Sequence, residues 1–204
     1  MIAIIDYGLG NVKAFADVYK KLNIPAIIAS QADDLQEVSK VILPGVGAFD
    51  QAMQRLEKSG MRQCLDGMVL DRKIAVLGIC VGMQMLAASS EEGRLPGLGW
   101  MDGEVKKFAR SASESSMRVP HMGWNTIKPL KGGGLLRGFD NEARFYFLHS
   151  YYFQSHRSED VIAVTDYYGE FACAVNSGNV FGVQFHPEKS HHWGIRLLEN
   201  FAKV

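Results

Sequence analysis

The chain has 204 residues, of which 47% are hydrophobic and 22% charged, as is ordinary for a globular protein with a sizeable core. Its 22 basic and 22 acidic residues give a formal net charge of zero, which argues against general nucleic-acid binding. There is no run of 18 apolar residues and no basic leader, so we expect a cytoplasmic protein without a membrane segment. The three cysteines form no C-x-x-C pair, which favours free thiols over disulfides or structural zinc.

The first 92 residues alternate between short apolar runs and segments with helical periodicity. Strands are predicted at 2–6, 25–30, 41–45 and 73–79, and helices at 11–22, 33–40, 48–60, 61–72 and 83–93. The helix at 33–40 is expected to begin with an aspartate cap, and Gly60 is a candidate C-cap. This alternation predicts a parallel sheet covered by helices on both faces.

The second half favours antiparallel strands joined by tight turns. Strand-like alternation occurs at 100–109, 118–130, 144–154, 160–169, 171–179 and 180–186. A polar loop is predicted at 110–116, residues 131–134 form a flexible turn or cap a short helix, and a helix closes the chain at 191–204. We therefore predict a single α/β domain over 1–204, with a flavodoxin-like, mostly parallel sheet flanked by helices and an antiparallel β extension.

Cys80 lies at the junction of a predicted strand and a predicted helix, in the sequence GICVG. Gly78, Cys80 and Gly82 have the G-x-S-x-G spacing of a nucleophile elbow, with cysteine in place of serine. The glycines remove Cβ atoms where strand and helix crowd together, and the helix N-terminus favours a thiolate. Cys80 is therefore a candidate nucleophile, with the Val81 N–H as an oxyanion donor. A buried structural cysteine in a glycine-rich turn is the alternative.

A thiol nucleophile needs a base, and the sequence QFHPEKS makes His186 stand out among the six histidines. Residues two apart in an extended segment project to the same side, so Glu188 is predicted to lie beside His186 and fix its tautomer. A surface His-Pro-Glu turn is the alternative.

A second oxyanion donor is expected in the glycine-rich segment that follows the third predicted strand. Glycine lets the backbone there turn an N–H toward a substrate, and the residues concerned are Gly45, Val46 and Gly47. An ordinary glycine-rich turn is the alternative.

Two motifs, GICVGMQ at 78–84 and QFHPE at 184–188, resemble those of the triad-type (class I) glutamine amidotransferases. Within that family the chain is most similar to the glutaminase subunits of imidazole glycerol phosphate synthase. The further matches occur in the expected order along nearly the whole chain: DYGLGN at 6–11, LPGVGAF at 43–49, VPHMGWN at 119–125, FYFLHSY at 145–151 and HPEKS at 186–190.

The resemblance implies that the chain hydrolyses L-glutamine to glutamate and ammonia. Cys80 would be the nucleophile, His186 the proton carrier and Glu188 its orienter. The glutamine would be held by Gln84, Ser150 and Tyr151, and the resemblance implies no cofactor and no metal.

The resemblance also implies a partner, a (βα)8-barrel cyclase subunit of the HisF type that uses the ammonia to form imidazole glycerol phosphate in histidine biosynthesis. The residues expected at the interface of this heterodimer are Trp124, Asn125, Tyr146 and Lys189. A place in the β core is the alternative for Trp124, and a solvated surface position is the alternative for Lys189.

The sequence HHWG that follows HPEKS departs from the common histidine-pathway form. It resembles paralogues that supply ammonia for amidation of surface-polysaccharide sugars, so the ammonia acceptor stays open while glutamine hydrolysis is unaffected. More remote alternatives are a cysteine hydrolase, a non-catalytic docking protein of the same fold and a nucleotide-binding module. The last requires a third glycine where the chain has Lys13. Cys64 and Cys173 are expected to be core thiols.

Overall fold

The computed structural model describes residues 1–108 and 118–204, and the polar loop predicted at 110–116 lies outside the described residues. The first half alternates strands and helices as predicted. Its strands are β1 (Ile2–Ile5), β2 (Ala26–Ala29), β3 (Lys40–Gly45) and β4 (Ala75–Cys80). Its helices are α1 (Val12–Lys21), α2 (Phe49–Lys58), α3 (Arg62–Asp66) and α4 (Val81–Met85).

The second half is built mainly from strands and ends in a helix. The strands are β5 (Ser89–Ser90), β6 (Gly103–Lys107), β7 (His121–Thr126), β8 (Lys128–Pro129), β9 (Arg144–His149), β10 (Tyr151–Ser155), β11 (Val161–Asp166), β12 (Glu170–Ser177) and β13 (Val180–Val183). The closing helix is α5 (His191–Lys203).

An eight-stranded sheet forms the centre of the fold, with strand order β2-β1-β3-β4-β13-β12-β11-β8. The first five strands of this order run parallel, and the last three continue the sheet antiparallel. The predicted α/β architecture with a mostly parallel sheet and an antiparallel extension is therefore confirmed. Two smaller sheets, β10-β6-β5 and β7-β9, form in addition to it.

The predicted helix at 83–93 is wrong beyond Met85. The chain leaves α4 there because the Ala88 N–H donates to the Gly103 carbonyl at 3.0 Å, and the following β5 pairs with β6. The predicted helix at 33–40 is a single 3₁₀ turn at Ala32–Leu35, since the chain must reach β3 at Lys40.

The segment at 180–186, predicted as an antiparallel strand, has a strand on each side, and only one of the two is antiparallel to it. β13 is antiparallel to β12, to which a tight turn joins it, and parallel to β4, which is distant in sequence. The helix predicted at 61–72 divides into α3 and a π-helical turn at Gly67–Asp71. Residues 131–134, predicted to form a flexible turn or to cap a short helix, lead into a 3₁₀ turn at Gly134–Leu136.

Burial of the central sheet on both faces explains why the sequences of its parallel strands are continuous apolar runs. β1 is buried along its whole length because helices cover both faces of the sheet, and burial of each such apolar side chain contributes roughly 1.5–3 kcal/mol. On one face Phe15 and Tyr19 of α1 are almost fully buried. The Tyr19 hydroxyl donates to the Leu198 carbonyl of α5 at 3.1 Å, which ties the first helix to the last.

Candidate active site

Cys80 is the last residue of β4, and α4 begins directly after it at the carboxyl edge of the parallel sheet. Its φ of 55° is uncommon for a residue with a Cβ and marks a strained strand-to-helix turn. A Cβ at Gly82 would lie 1.9 Å from the Leu43 carbonyl oxygen, and one at Gly78 would lie 2.6 Å from the Gly82 oxygen. The glycines therefore permit α4 to cross the strands closely, as the spacing predicts.

The glycine-rich segment after β3 lies beside this turn. Gly45 pairs with Cys80 in the register of β3 and β4, and Val46 and Gly47 line the same cavity as the thiol. Gly47 has a φ of 86°, a left-handed conformation that favours glycine. The Tyr7 hydroxyl donates to the Pro44 carbonyl at 2.6 Å and so anchors the strand end that precedes the segment.

His186 and Glu188 lie side by side, with His186 Nδ1 at 2.9 Å from Glu188 Oε1. Their side chains are 4% and 3% exposed. The segment is not extended as predicted: Pro187–Lys189 is a 3₁₀ turn, and the His186 N–H donates to the Tyr146 carbonyl of β9 at 2.8 Å. The pair therefore meets through a turn that is pinned to a neighbouring strand.

The electrostatic surroundings of His186 favour its charged form. Burial by itself lowers the pKa of the ring, but the hydrogen-bond contacts with Cys80 and Glu188, together with their charges, outweigh it and raise the pKa from 6.5 to about 10. These contacts favour the protonated ring, and an imidazolium next to a cysteine stabilises the thiolate, which is the nucleophilic form.

Ser190 holds the His186 turn in place, and the sequence reasoning missed it. Its Oγ donates to the His186 carbonyl at 2.6 Å and accepts from the Tyr146 N–H at 3.0 Å. The residue is fully buried. A serine four residues after the histidine is the available sequence signal, because serine hydroxyls often bond the carbonyl at i−4.

Cys80 and His186 open onto a cavity of about 250 Å³. This is small compared with pockets for drug-sized ligands, which are roughly 300–1,000 Å³, so it suits a small metabolite. It brings together most of the residues predicted for the oxyanion and glutamine contacts: Val46, Gly47, Val81, Gln84, Ser150 and Tyr151. Lys189, predicted at the partner interface, also lines it. Residues without a predicted role in it also line the wall, namely Glu92, Pro120, Leu148 and His149.

Two glutamine side chains connect the cavity wall to the thiol. Gln84 Nε2 donates to the Tyr151 carbonyl at 2.8 Å and to Gln184 Oε1 at 3.1 Å. Gln184 Nε2 in turn lies 3.7 Å from Cys80 Sγ, as does the Leu148 carbonyl oxygen on another side. Gln184 was missed by the sequence reasoning, although it stands directly before the FHPE motif.

Three of the four residues expected at a partner interface form one exposed patch beside the cavity. Trp124 is 41% exposed and stands edge-on to Tyr146, and the Lys189 ammonium lies 5.5 Å from the Tyr146 ring centroid. Trp124 is thus not a core residue. Asn125 differs, since its side chain turns inward and bonds to the Asp166 carbonyl at 2.8 Å. The alternating faces of β7 separate it from Trp124.

Cys64 and Cys173 are free thiols, like Cys80. Cys173 is fully buried, and burial raises the pKa of its thiol, whereas Cys64 is half-buried next to the core. Over residues 1–108 and 118–204, no cluster of three or more His, Cys, Asp or Glu side chains is placed to hold a metal ion. None of the helices in these ranges is long and apolar enough to cross a membrane.

Comparisons with known proteins agree on one family. The family profile described as "Glutamine amidotransferase class-I" matches residues 3–204. The chain is 54% identical to "Imidazole glycerol phosphate synthase subunit HisH" of Bdellovibrio bacteriovorus and 52% identical to the protein of the same name in Leptospira interrogans, each over 100% of both chains. A solved structure titled "Crystal structure of glutamine amidotransferase" is similar with a TM-score of 0.75, at 19% identity, over 100% of this chain and 99% of that one.

A thiol on a strained strand-to-helix turn, next to a histidine and a carboxylate at the edge of a parallel sheet, is an arrangement typical of cysteine-dependent acyl-transfer enzymes. With the family profile and full-length relatives added, the chain belongs to the class I glutamine amidotransferases. The resemblance expected from the sequence motifs is confirmed.

Proposed function

We propose that this chain is the glutaminase subunit of an imidazole glycerol phosphate synthase. It hydrolyses L-glutamine to glutamate and delivers the ammonia to a (βα)8-barrel cyclase subunit of the HisF type. The observation that carries the proposal is the contact of Cys80 with the buried His186–Glu188 pair at one small cavity. Full-length relatives named as this synthase subunit support the reaction, and their names favour it over amidation of a surface sugar.

In the proposed mechanism the Cys80 thiolate attacks the side-chain amide carbon of glutamine. The N–H groups of Val81 and of the segment 45–47 stabilise the tetrahedral oxyanion. His186 gives a proton to the leaving nitrogen, which departs as ammonia, and a γ-glutamyl thioester remains on Cys80. Water then attacks the thioester while His186 takes its proton, so that glutamate leaves and the Cys80 thiolate and protonated His186 are restored.

The other residues predicted at the site take roles consistent with their places. Gln84, Ser150 and Tyr151 hold the glutamine, since they line the cavity together with Cys80. Trp124, Tyr146 and Lys189 contact the partner subunit, because an exposed tryptophan is the kind of anchor that interfaces use and Lys189 of the same patch lines the cavity. Asn125 supports this surface from the inner face of β7.

We also propose that residues 1–204 form one amidotransferase domain and that the protein works in the cytoplasm. The central sheet takes strands from both halves of the chain, which supports a single domain. The three free thiols suit a reducing compartment.

The test is imidazole glycerol phosphate formation by the chain together with the barrel subunit from the same organism, with either glutamine or ammonium as nitrogen source. Cys80→Ala is expected to abolish the glutamine-dependent reaction and to leave the ammonium-dependent reaction intact. Cys64→Ala is the matched control and is expected to leave both reactions intact. Glutamine-dependent synthesis that survives in Cys80→Ala, or wild-type chain that supports no synthesis from glutamine, contradicts the proposal.

A further inference from the structure

Two buried histidines, His121 of β7 and His149 of β9, lie opposite each other across the two-stranded sheet. His121 Nδ1 is 3.0 Å from His149 Nε2, so one ring donates a proton and the other accepts it. Neither histidine has a part in the mechanism proposed above. His149 nevertheless lines the cavity, which raises the question of what the pair does there.

The side-chain amide of Asn125 decides which ring nitrogens carry protons. Its Oδ1 accepts from the Thr126 N–H at 2.9 Å, which places Nδ2 on the other side. There Nδ2 donates to the Asp166 carbonyl at 2.8 Å and lies 3.3 Å from His121 Nε2. Because an NH₂ group only donates, His121 Nε2 accepts and the proton of this ring is on Nδ1.

The same reasoning carries through the second ring. His121 Nδ1–H donates to His149 Nε2, so the His149 proton is on Nδ1, which lies 2.8 Å from the Tyr151 carbonyl oxygen. A carbonyl only accepts, so the proton assignment required by the Tyr151 carbonyl agrees with the one required by Asn125. Both rings are therefore neutral Nδ1–H tautomers. Burial favours the same state, because it lowers the pKa of His121 to about 4 and that of His149 to about 3.

The Tyr151 carbonyl joins the histidine pair to the ligand cavity. It also accepts from Gln84 Nε2 at 2.8 Å, so this end of the Gln84 amide must be nitrogen. The second hydrogen of that nitrogen is directed to Gln184 Oε1 at 3.1 Å. Both hydrogens of the Gln84 amide are thus used within the protein, and because Gln84 lines the cavity, the group that it can offer a ligand there is its oxygen, an acceptor.

Aromatic rings hold the histidine pair rigidly. His121 is stacked between Phe147 and Tyr167, with ring centroids 4.5 and 4.0 Å away, and Phe171 packs against His149 with its centroid 5.4 Å away. The stacking fixes the plane of the His121 ring, and the hydrogen-bond partners at its two nitrogens fix which edge of the ring faces His149.

We propose that His121 and His149 are positioning residues that hold the Tyr151 carbonyl and the Gln84 amide in one orientation, so that the cavity offers an acceptor to an N–H group of the substrate. The inference rests on the proposed glutaminase function, in which that substrate is L-glutamine. The pair acts through Gln84 and does not touch the reacting atoms.

The first test measures the ring tautomers in the wild-type chain by long-range proton–nitrogen NMR near neutral pH. The expected result is that His121 and His149 are both neutral and both protonated at Nδ1. The exposed His156, whose pKa is raised by contact with Asp102, serves as a titrating reference. An Nε2–H tautomer or an imidazolium at either buried ring overturns the proposal. This test requires neither a variant nor activity.

The second test is His121→Phe in the complex with the barrel subunit. Phenylalanine keeps the stack with Phe147 and Tyr167 but removes the donor to His149 and the acceptor for Asn125. The KM for glutamine is expected to rise about tenfold, the effect of about one lost hydrogen bond, with a smaller change in kcat.

Tyr167→Phe is the matched control, because it keeps the ring stacked on His121 and removes only a hydroxyl that donates to the Arg118 carbonyl. Its KM is expected to equal that of the wild type. An unchanged KM in His121→Phe overturns the positioning role. If the wild-type complex releases no glutamate, the proposed function fails, while the NMR measurement still decides the inference about the two rings.

Discussion

The Glu188 carboxylate acts on the reaction through His186. One of its oxygens binds His186 Nδ1, and the other is buried without a hydrogen-bond partner among the described residues. A buried carboxylate with an unsatisfied oxygen is costly, and the charge attraction to the protonated ring offsets this cost. The arrangement therefore stabilises the imidazolium that the proposed mechanism uses.

Glu188→Gln tests this role with almost no change in shape. The amide keeps a contact with His186 but loses the negative charge, so the pKa of His186 is expected to fall below about 10. The kcat for glutaminase activity is expected to fall by roughly 10²–10⁴-fold, as in other triads whose acidic member becomes an amide. Steady-state kinetics of the complex measure it.

The control for this variant is Glu199→Gln, which removes an exposed carboxylate paired with Lys203 on α5. It is expected to behave as the wild type. A Glu188→Gln enzyme with wild-type kcat would show that the carboxylate has only a structural role.

The residues that short motifs specify could be predicted, and those that depend on side-chain direction could not. Cys80, His186 and Glu188 follow from spacing because each motif is local. Gln184 reaches Cys80 from the bend directly after the neighbouring strand β13, and spacing within one motif contains no information about that contact. The resemblance places Asn125 with Trp124 at the interface, but adjacent residues of a strand face opposite sides.

At the scale of elements, the close crossing of α4 over β3 determines where Cys80 lies. Gly45 and Gly82 have no side chains at this crossing, and a Cβ at Gly45 would lie 2.5 Å from the Gly82 backbone nitrogen. Both partners are backbone atoms of buried elements, so neither is free to move aside. The elbow therefore requires glycine on both sides of the contact.

Gly82→Ala is expected to destabilise the protein by about 3 kcal/mol or more, because its Cβ would lie 1.9 Å from the Leu43 carbonyl oxygen. Gly132→Ala is the matched control, since nothing lies within 4 Å of a Cβ there and its φ is not left-handed. That substitution is expected to change stability by less than about 0.5 kcal/mol. Urea unfolding followed by circular dichroism measures both, and equal stability of the two variants would refute the tight crossing.

Elements of the first half could be predicted because alternating strands and helices repeat a local pattern. The direction of β13 could not, since its pairing with β4 joins segments about one hundred residues apart in sequence, and local alternation is the same in either direction. The early end of α4 has the same cause, because β5 is stabilised by pairing with β6. Non-local pairing overrode helical periodicity at this point.

At the scale of the whole molecule, the stability of the fold depends on pH in opposite ways through the buried neutral histidines and through His186, which is paired with Glu188. Burial lowers the pKa values of His121 and His149 to about 4 and about 3, against about 6.5 in an unfolded chain. Their contribution to stability is complete above pH 6.5 and is lost as the pH falls toward these values, since the unfolded chain then binds protons that the folded chain rejects.

The contribution of His186 to stability changes with pH in the opposite direction. Its pKa is raised to about 10 in the folded protein, so its contribution to stability is complete below about pH 6.5 and is lost as the pH rises through about 10. The folded chain is therefore expected to lose stability on both sides of neutrality, for different reasons.

The acid side of this prediction is testable by urea unfolding at pH 7 and pH 5. The wild type is expected to lose on the order of 2 kcal/mol per buried histidine between these values. His121→Phe should lose less, because one of the two titrating groups is gone. His156→Asn should lose more, since contact with Asp102 raises the pKa of His156 and acid strengthens that pair. Identical pH profiles for all three proteins would contradict the assignment.

The measurement that tests the central claim most directly is covalent labelling by a diazoketone analogue of glutamine, followed by peptide mass spectrometry, with the barrel subunit present. One label per chain is expected, located at Cys80, and an excess of L-glutamine should protect against it. Cys80→Ala should take no label, and Cys64 and Cys173 should stay unmodified in the wild type. Labelling of Cys80→Ala at the wild-type level, or wild-type labelling centred on Cys64, would contradict the assignment of Cys80 as the glutaminase nucleophile.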